Sequence, residues 1–185
     1  MSRPWRRWAL LAGTAAAVVV LSNVPTAPQL ARCPEIGRLP GIVLGMIAAT
    51  TILHTLVTAV QADLVHSRQL SAWCAPSSTR RLLLIAFGAL ITAATLFVDI
   101  LLWAWVYRHI GAIQGLEDSF YFSGITFTTV GYGDVTLHKC WQLLSVGEAV
   151  NGGLMAGWST AQLIFLVQRM MMLNPNTEAR PENPE

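Results

Sequence analysis

Charge is scarce in this chain: 185 residues hold only 12 Lys/Arg and 10 Asp/Glu, for a formal net charge of +2. So small an excess, with its basic residues scattered, excludes a nucleic-acid surface. Cysteine is as sparse. Cys33, Cys74 and Cys140 have no metal-ligand spacing and form no Cys-x-x-Cys motif, and the four histidines lie far apart, so neither a zinc site nor a redox pair is indicated. The thiols read as single packed residues. No arginine-rich helix of the voltage-sensing kind is present either. What the chain does have is apolar sequence, 54% of its residues, which is too much for an ordinary soluble domain of this size. Lipid is the solvent this composition suits.

Arg3, Arg6 and Arg7 precede an apolar run from Trp8 to Leu21 that ends before Pro25. Two readings stay open, a retained membrane helix and a cleaved secretory signal with Ser22 or Ala27 near the cut. Both leave the arginines inside and deliver residues 22–40 outside as a loop carrying Pro25, Pro28, Pro34 and Pro40. From Gly41 to Val60 the only titratable residue is His54, and the length suffices to cross the hydrocarbon core. His54 reads either as a pH-sensitive group facing a partner helix or as a neutral packing histidine. Gln61 to Arg81 is polar, with Arg68, Arg80 and Arg81, and should be cytoplasmic. Ser78 or Thr79 is expected to cap a third span from about Leu82 to Tyr107, whose Trp103, Trp105 and Tyr107 mark the outer interface. Asp99 lies inside that span, where an unpaired carboxylate is costly. It is expected either to brace the following short helix or to sit protonated or bonded to Trp103.

Glu117-Asp118-Ser119 supplies acceptors for a helix start, and Phe120 to Thr128 is too short to span, so it reads as a re-entrant helix. Thr128-Thr129-Val130-Gly131-Tyr132-Gly133-Asp134 follows. A dehydrated cation needs a cage of oxygens, and an extended strand can supply them from its carbonyls where alternate residues lack a Cβ. Gly131 and Gly133 have that spacing. Thr129 adds a hydroxyl at the inner end, while Val130 and Tyr132 are expected to point away and wedge the strand against its pore helix. The stretch reads as a potassium selectivity filter, with K+ held at Thr129, Val130, Gly131 and Tyr132.

At these residues the chain resembles the potassium channel pore family, in particular bacterial members related to two-pore-domain channels. The likeness runs from about Glu117 to Arg169. It includes Phe120-Tyr121-Phe122-Ser123 and, in the last apolar segment, Glu148 followed four residues later by Gly152. It implies an all-α membrane protein with four transmembrane helices, a re-entrant pore helix and filter between the last two, and a homotetrameric pore in a bacterial plasma membrane. Thr128, Asp134 and Glu148 are then filter supports, with Glu148 facing protein behind the filter. Some bacterial relatives carry a glutamate one turn before the two threonines; Ile125 stands there, so the carboxyl pair with Asp134 is missing. A mid-helix glycine serves as a gating hinge in this family. Counting from Asp134 favours Gly153, and the Glu148 spacing favours Gly152, although small residues also allow close helix packing. Asn151, Leu154, Gly157 and Ala161 are expected to face the cavity.

The chain thus divides into residues 1–40 (first helix or signal, then external loop), 41–80 (second span and cytoplasmic loop), 81–168 (pore domain) and 169–185. The last is a cytoplasmic tail, charged and proline-bearing, expected to be disordered and too short for a sensor domain. A separate regulatory subunit remains an open partner besides lipid. Placing Asp134 outside puts Arg3, Arg6, Arg7, Arg68, Arg80, Arg81, Arg169 and Arg180 inside, against Arg32, Arg38, Arg108 and Lys139 outside. That distribution obeys the positive-inside rule. Cys33 and Cys140 then share the outer side, where they can pair, and Cys74 stays reduced. The expected function is passive, potassium-selective conduction without cofactor or catalysis. The alternative is a pore-derived subunit of a potassium uptake system or a non-conducting accessory protein.

Overall fold

A computed structural model of the chain describes residues 39–172. The first apolar run, the proline-bearing loop, Cys33 and the tail past Met172 lie outside the described residues. Five helices are described: α1 (Leu39–Val65), α2 (Arg68–Cys74), α3 (Ser78–His109), α4 (Leu116–Phe127) and α5 (Gln142–Met172), the last led in by a 3-10 turn at Lys139–Trp141. No strand occurs among the described residues.

Three of these segments, Leu39–Val65, Ser78–His109 and Lys139–Met172, are long and apolar enough to cross a membrane. The protein is an integral membrane protein. The helix α4 has 12 residues, or about 18 Å at the usual rise, and does not reach across. Leu82, Leu83, Phe87, Leu90 and Phe97 on α3 are exposed, as expected of helices whose outward face meets lipid instead of water.

Element boundaries depart from the expected ones for local reasons. Pro40, assigned to the loop, lies in the first turn of α1, where a missing N–H leaves no helical bond unmade. The polar stretch after α1 contains α2, whose start is capped by Ser67 Oγ accepting from the Leu70 N–H at 3.3 Å. Neither Ser78 nor Thr79 caps α3. Ser77 occupies that position without a side-chain cap bond, and Ser78 Oγ instead accepts from Arg81 Nη2 at 2.9 Å. Gly115, at φ 94°, precedes α4. Ser119 is not an acceptor for the helix start: its Oγ donates back to the Gly115 carbonyl at 2.7 Å. Glu117 and Asp118 do lie in the first turn, where their charge opposes the positive end of the helix dipole.

The core is a single apolar layer in which α1, α3, α4 and α5 meet, built on Met46, Trp103, Tyr107, Phe122, Phe127 and Leu144. A second, smaller cluster joins Val65, Leu166 and Met170 to Leu84 and Ile85. Gly152 fixes where α4 ends. A Cβ there would overlap the Phe127 carbonyl, so the last turn of α4 rests directly on the backbone of α5.

Candidate ion-conducting site

The end of α4 holds the Thr128–Asp134 segment close to the helix. Thr128 Oγ1 donates to the Gly124 carbonyl at 2.7 Å, Thr129 N–H to Thr126 O at 2.9 Å, and Gly131 N–H to Ile125 O at 3.0 Å. The backbone is not the extended strand expected from the sequence. Thr129 has φ 61°, Gly131 φ 54° and Gly133 φ 80°, while Val130 and Tyr132 between them lie outside the positive-φ region. An extended strand sends successive carbonyls to opposite sides; reversing the hand at every second residue turns them toward a common side. Glycine makes that reversal without strain at positions 131 and 133. Thr129, a β-branched residue, makes it against its steric preference.

Val130 is 52% exposed and Tyr132 74%. They do not wedge against α4 of their own chain. The residues meant to pack outward are bare in a single chain.

Asp134 has found a partner other than the missing glutamate. Tyr121 Oη donates to Asp134 Oδ2 at 2.6 Å, tying the second residue of the aromatic run in α4 to the end of the Thr128–Asp134 segment. That bond holds the Asp134 carboxyl below the ordinary carboxylate range and pushes the Tyr121 phenol up.

Glu148 is fully buried. Its carboxyl takes one bond from Ser123 Oγ at 2.5 Å and one from Tyr107 Oη at 2.7 Å. Three helices are thereby joined at one buried carboxyl: α4 through Ser123, α3 through Tyr107 and α5 through Glu148 itself. Ser123 Oγ also lies 2.9 Å from the Ile100 carbonyl. Tyr107 packs edge-on to Phe122, with ring centroids 5.1 Å apart.

Asp99 does not brace α4 and is not bonded to Trp103. Its Oδ2 meets His54 Nε2 at 2.6 Å, with both side chains buried, while Trp103 Nε1 has no partner. The pairing engages one oxygen of the costly carboxylate from α1, through His54, while Asp99 Oδ1 has no hydrogen-bond partner. Asn151 does not face a cavity either. It is buried, with Oδ1 accepting from Thr50 Oγ1 of α1 at 3.1 Å, whereas Leu154, Gly157 and Ala161 are exposed. Of the two hinge glycines, Gly152 is committed to the Phe127 contact and Gly153 has open space around it.

Residues 95–169 match the family model described as Ion channel. Over these residues the chain is similar to the ion channel family. The matched part takes in the C-terminal half of α3, all of α4, the Thr128–Asp134 segment and α5 as far as Arg169, and the resemblance read from the sequence is borne out there. An ion channel conducts ions passively, a transport function. Comparison with curated proteins and with solved structures gives no match.

Tyr107, Tyr121 and Ser123 were not singled out from the sequence as members of the site. Tyr121 and Ser123 sit in the aromatic run that carried the resemblance, and Tyr107 looked like an interface anchor. A hydroxyl at each position was the available signal, but its acceptor lies 13 to 41 residues away along the chain.

Proposed function

We propose that this chain is one subunit of a potassium-selective channel, in which four copies bring their Thr128–Asp134 segments around one axis. The observation that carries the reading is the alternating hand of the backbone at Thr129, Gly131 and Gly133, which favours a single row of carbonyl oxygens. One row coordinates an ion from one side only, and four rows make successive oxygen rings that replace the water shell of potassium better than that of sodium. The exposure of Val130 and Tyr132 favours assembly as well, since neighbouring chains would cover them. In this reading α4 is the re-entrant pore helix, α5 lines the pore with Leu154, Gly157 and Ala161, and Glu148 and Asp134 support the filter through Ser123, Tyr107 and Tyr121. The orientation puts Asp134 outside, in the plasma membrane of a bacterium.

The test is flux through purified protein in sealed liposomes, without ATP or a second subunit. Rubidium uptake, and reversal potentials in mixed potassium and sodium that follow potassium, are the expected results. A current without preference for potassium overturns the selectivity, and no flux at all favours an accessory role.

A further inference from the structure

The helix α1 lies wholly outside the part of the chain that matches the ion channel family. Several of its contacts with α5 are polar. Besides the Thr50–Asn151 bond, Thr58 Oγ1 donates to Gln162 Oε1 at 3.1 Å and accepts from Trp158 Nε1 at 2.9 Å. One turn further along α1, Gln61 Nε2 reaches the Gly88 carbonyl of α3 at 3.4 Å.

The upper part of α5 is fastened. Glu148 is bonded to two other helices, Gly152 carries the end of α4, and Gly147 is closed upon by Val43 of α1. The part beyond Gly153 is held differently. Gln162, Gln61 and Ser159 are each more than nine-tenths buried, yet Gln162 Nε2, Gln61 Oε1 and Ser159 Oγ have no hydrogen-bond partner. In lipid such groups are costly. Gln162 has a spare donor and Gln61 a spare acceptor, so the two are complementary. The Gly88 carbonyl can only accept, so it fixes the Gln61 amide with its NH2 engaged and its oxygen free. Thr58 and Gln61 are three residues apart on one face of α1, a separation of about 5 Å along the helix.

We infer that α1 is a latch on the lower half of α5, with Gln162 as the bolt that exchanges between Thr58 and Gln61. The inference rests on the reading that α5 lines the pore. A swing of α5 below Gly153 carries Gln162 from the Thr58 hydroxyl to the Gln61 amide. Each register satisfies atoms that the other leaves bare, which makes two discrete positions instead of a continuum. Gly88 lets α5 approach α3 closely, since Leu166 of α5 occupies the space a Cβ there would fill. Thr58, Gln61 and Gln162 are thus positioning residues for conduction, acting through the helix they hold.

The experiment uses the full chain in liposomes with Cys74→Ser as background. Paired cysteines at Thr58 and Gln162, or at Gln61 and Gln162, are bridged with a short, cleavable bifunctional thiol reagent; linkage is read by mass spectrometry and rubidium flux is measured before and after. Both pairs are expected to link, with at least a fivefold difference in flux between the two trapped forms that disappears on cleaving the bridge. Linkage of the Thr58 pair alone, or equal flux through both trapped forms, overturns the latch. As a second measurement, Thr58→Val and Gln61→Leu are expected to shift open probability several-fold in opposite directions. Shifts in the same direction make the rungs ordinary helix packing. Should the wild type carry no rubidium, the pore reading fails, and the linkage pattern still decides whether Gln162 exchanges.

Discussion

Ser123 donates its hydroxyl to the buried carboxyl of Glu148 at 2.5 Å, and this bond ties the short helix α4 to the long helix α5. Tyr107 donates to the other oxygen, so the carboxyl has no free acceptor atom. Glu148→Ala leaves the Tyr107 hydroxyl without an acceptor, while Ser123 keeps the Ile100 carbonyl. Loss of one buried bond costs ~1–3 kcal/mol. Glu148→Ala should lower the thermal midpoint of detergent-solubilised protein by several degrees, and Glu148→Gln, which retains a carbonyl oxygen, by much less. Equal midpoints for wild type and Glu148→Ala would show that the three-helix junction contributes nothing.

The Tyr121–Asp134 bond predicts a pH window. Asp134 titrates below its ordinary value, so its contribution is present above the usual carboxylate range, about pH 4, and is lost as pH falls through the depressed value. Tyr121 titrates above its ordinary value, so its contribution is full below about pH 10 and lost as pH rises through the raised one. External acid should therefore reduce wild-type current, and Tyr121→Phe, with the bond already absent, should show a smaller current that acid reduces less. Current–pH curves of the same shape for both proteins would refute the link.

Gly152 and Gly153 separate packing from hinge. A side chain at Gly152 meets the Phe127 backbone, which cannot give way as a flexible side chain can. Gly152→Ala is expected to impair folding or assembly, seen as loss of the main peak in size-exclusion chromatography. Gly153→Ala meets nothing, and gains ~1 kcal/mol of helix propensity. It should assemble normally and change open probability several-fold without changing which ion passes. An unaltered open probability removes the hinge from Gly153.

Conduction should fail in Gly131→Val, because a β-branched residue is strained at φ 54°. Thr129→Ala keeps the backbone oxygens and loses only the hydroxyl, so much of the potassium preference should remain while barium block weakens. Undiminished current in Gly131→Val is the result that would sink the filter assignment.

Cys140 is disulfide-bonded, whereas Cys74 is a free, buried thiol. Cys33, the partner expected for Cys140, lies outside the described residues. Denatured, unreduced protein should titrate one free thiol per chain, and reduced protein all three. Three thiols without reduction exclude the bond.

The sequence by itself determined what depends on neighbours along the chain. Scarce charge and long apolar runs prescribe membrane helices; the short aromatic segment prescribes a helix that does not cross; and the spacing of Gly131 and Gly133 marks the stretch whose carbonyls can share a side, although the alternating hand that turns them there was not expected. These follow from local sterics and from the cost of bare polar groups in lipid. Partner choice is different, because a buried side chain takes whichever acceptor the packing brings near. Asp99 looked like a brace for the pore helix and went to His54, 45 residues away; Asn151 looked like a cavity residue and went to Thr50; Asp134, lacking its glutamate, took Tyr121. Even the hand of Thr129 was decided by the fold, since its N–H bond to Thr126 and the next turn's bond from Gly131 to Ile125 hold a threonine where its own sterics would not put it. Only the tertiary structure could set these pairings, because each depends on rotation and register between helices, and apolar sequence on every face of a membrane helix leaves both unspecified.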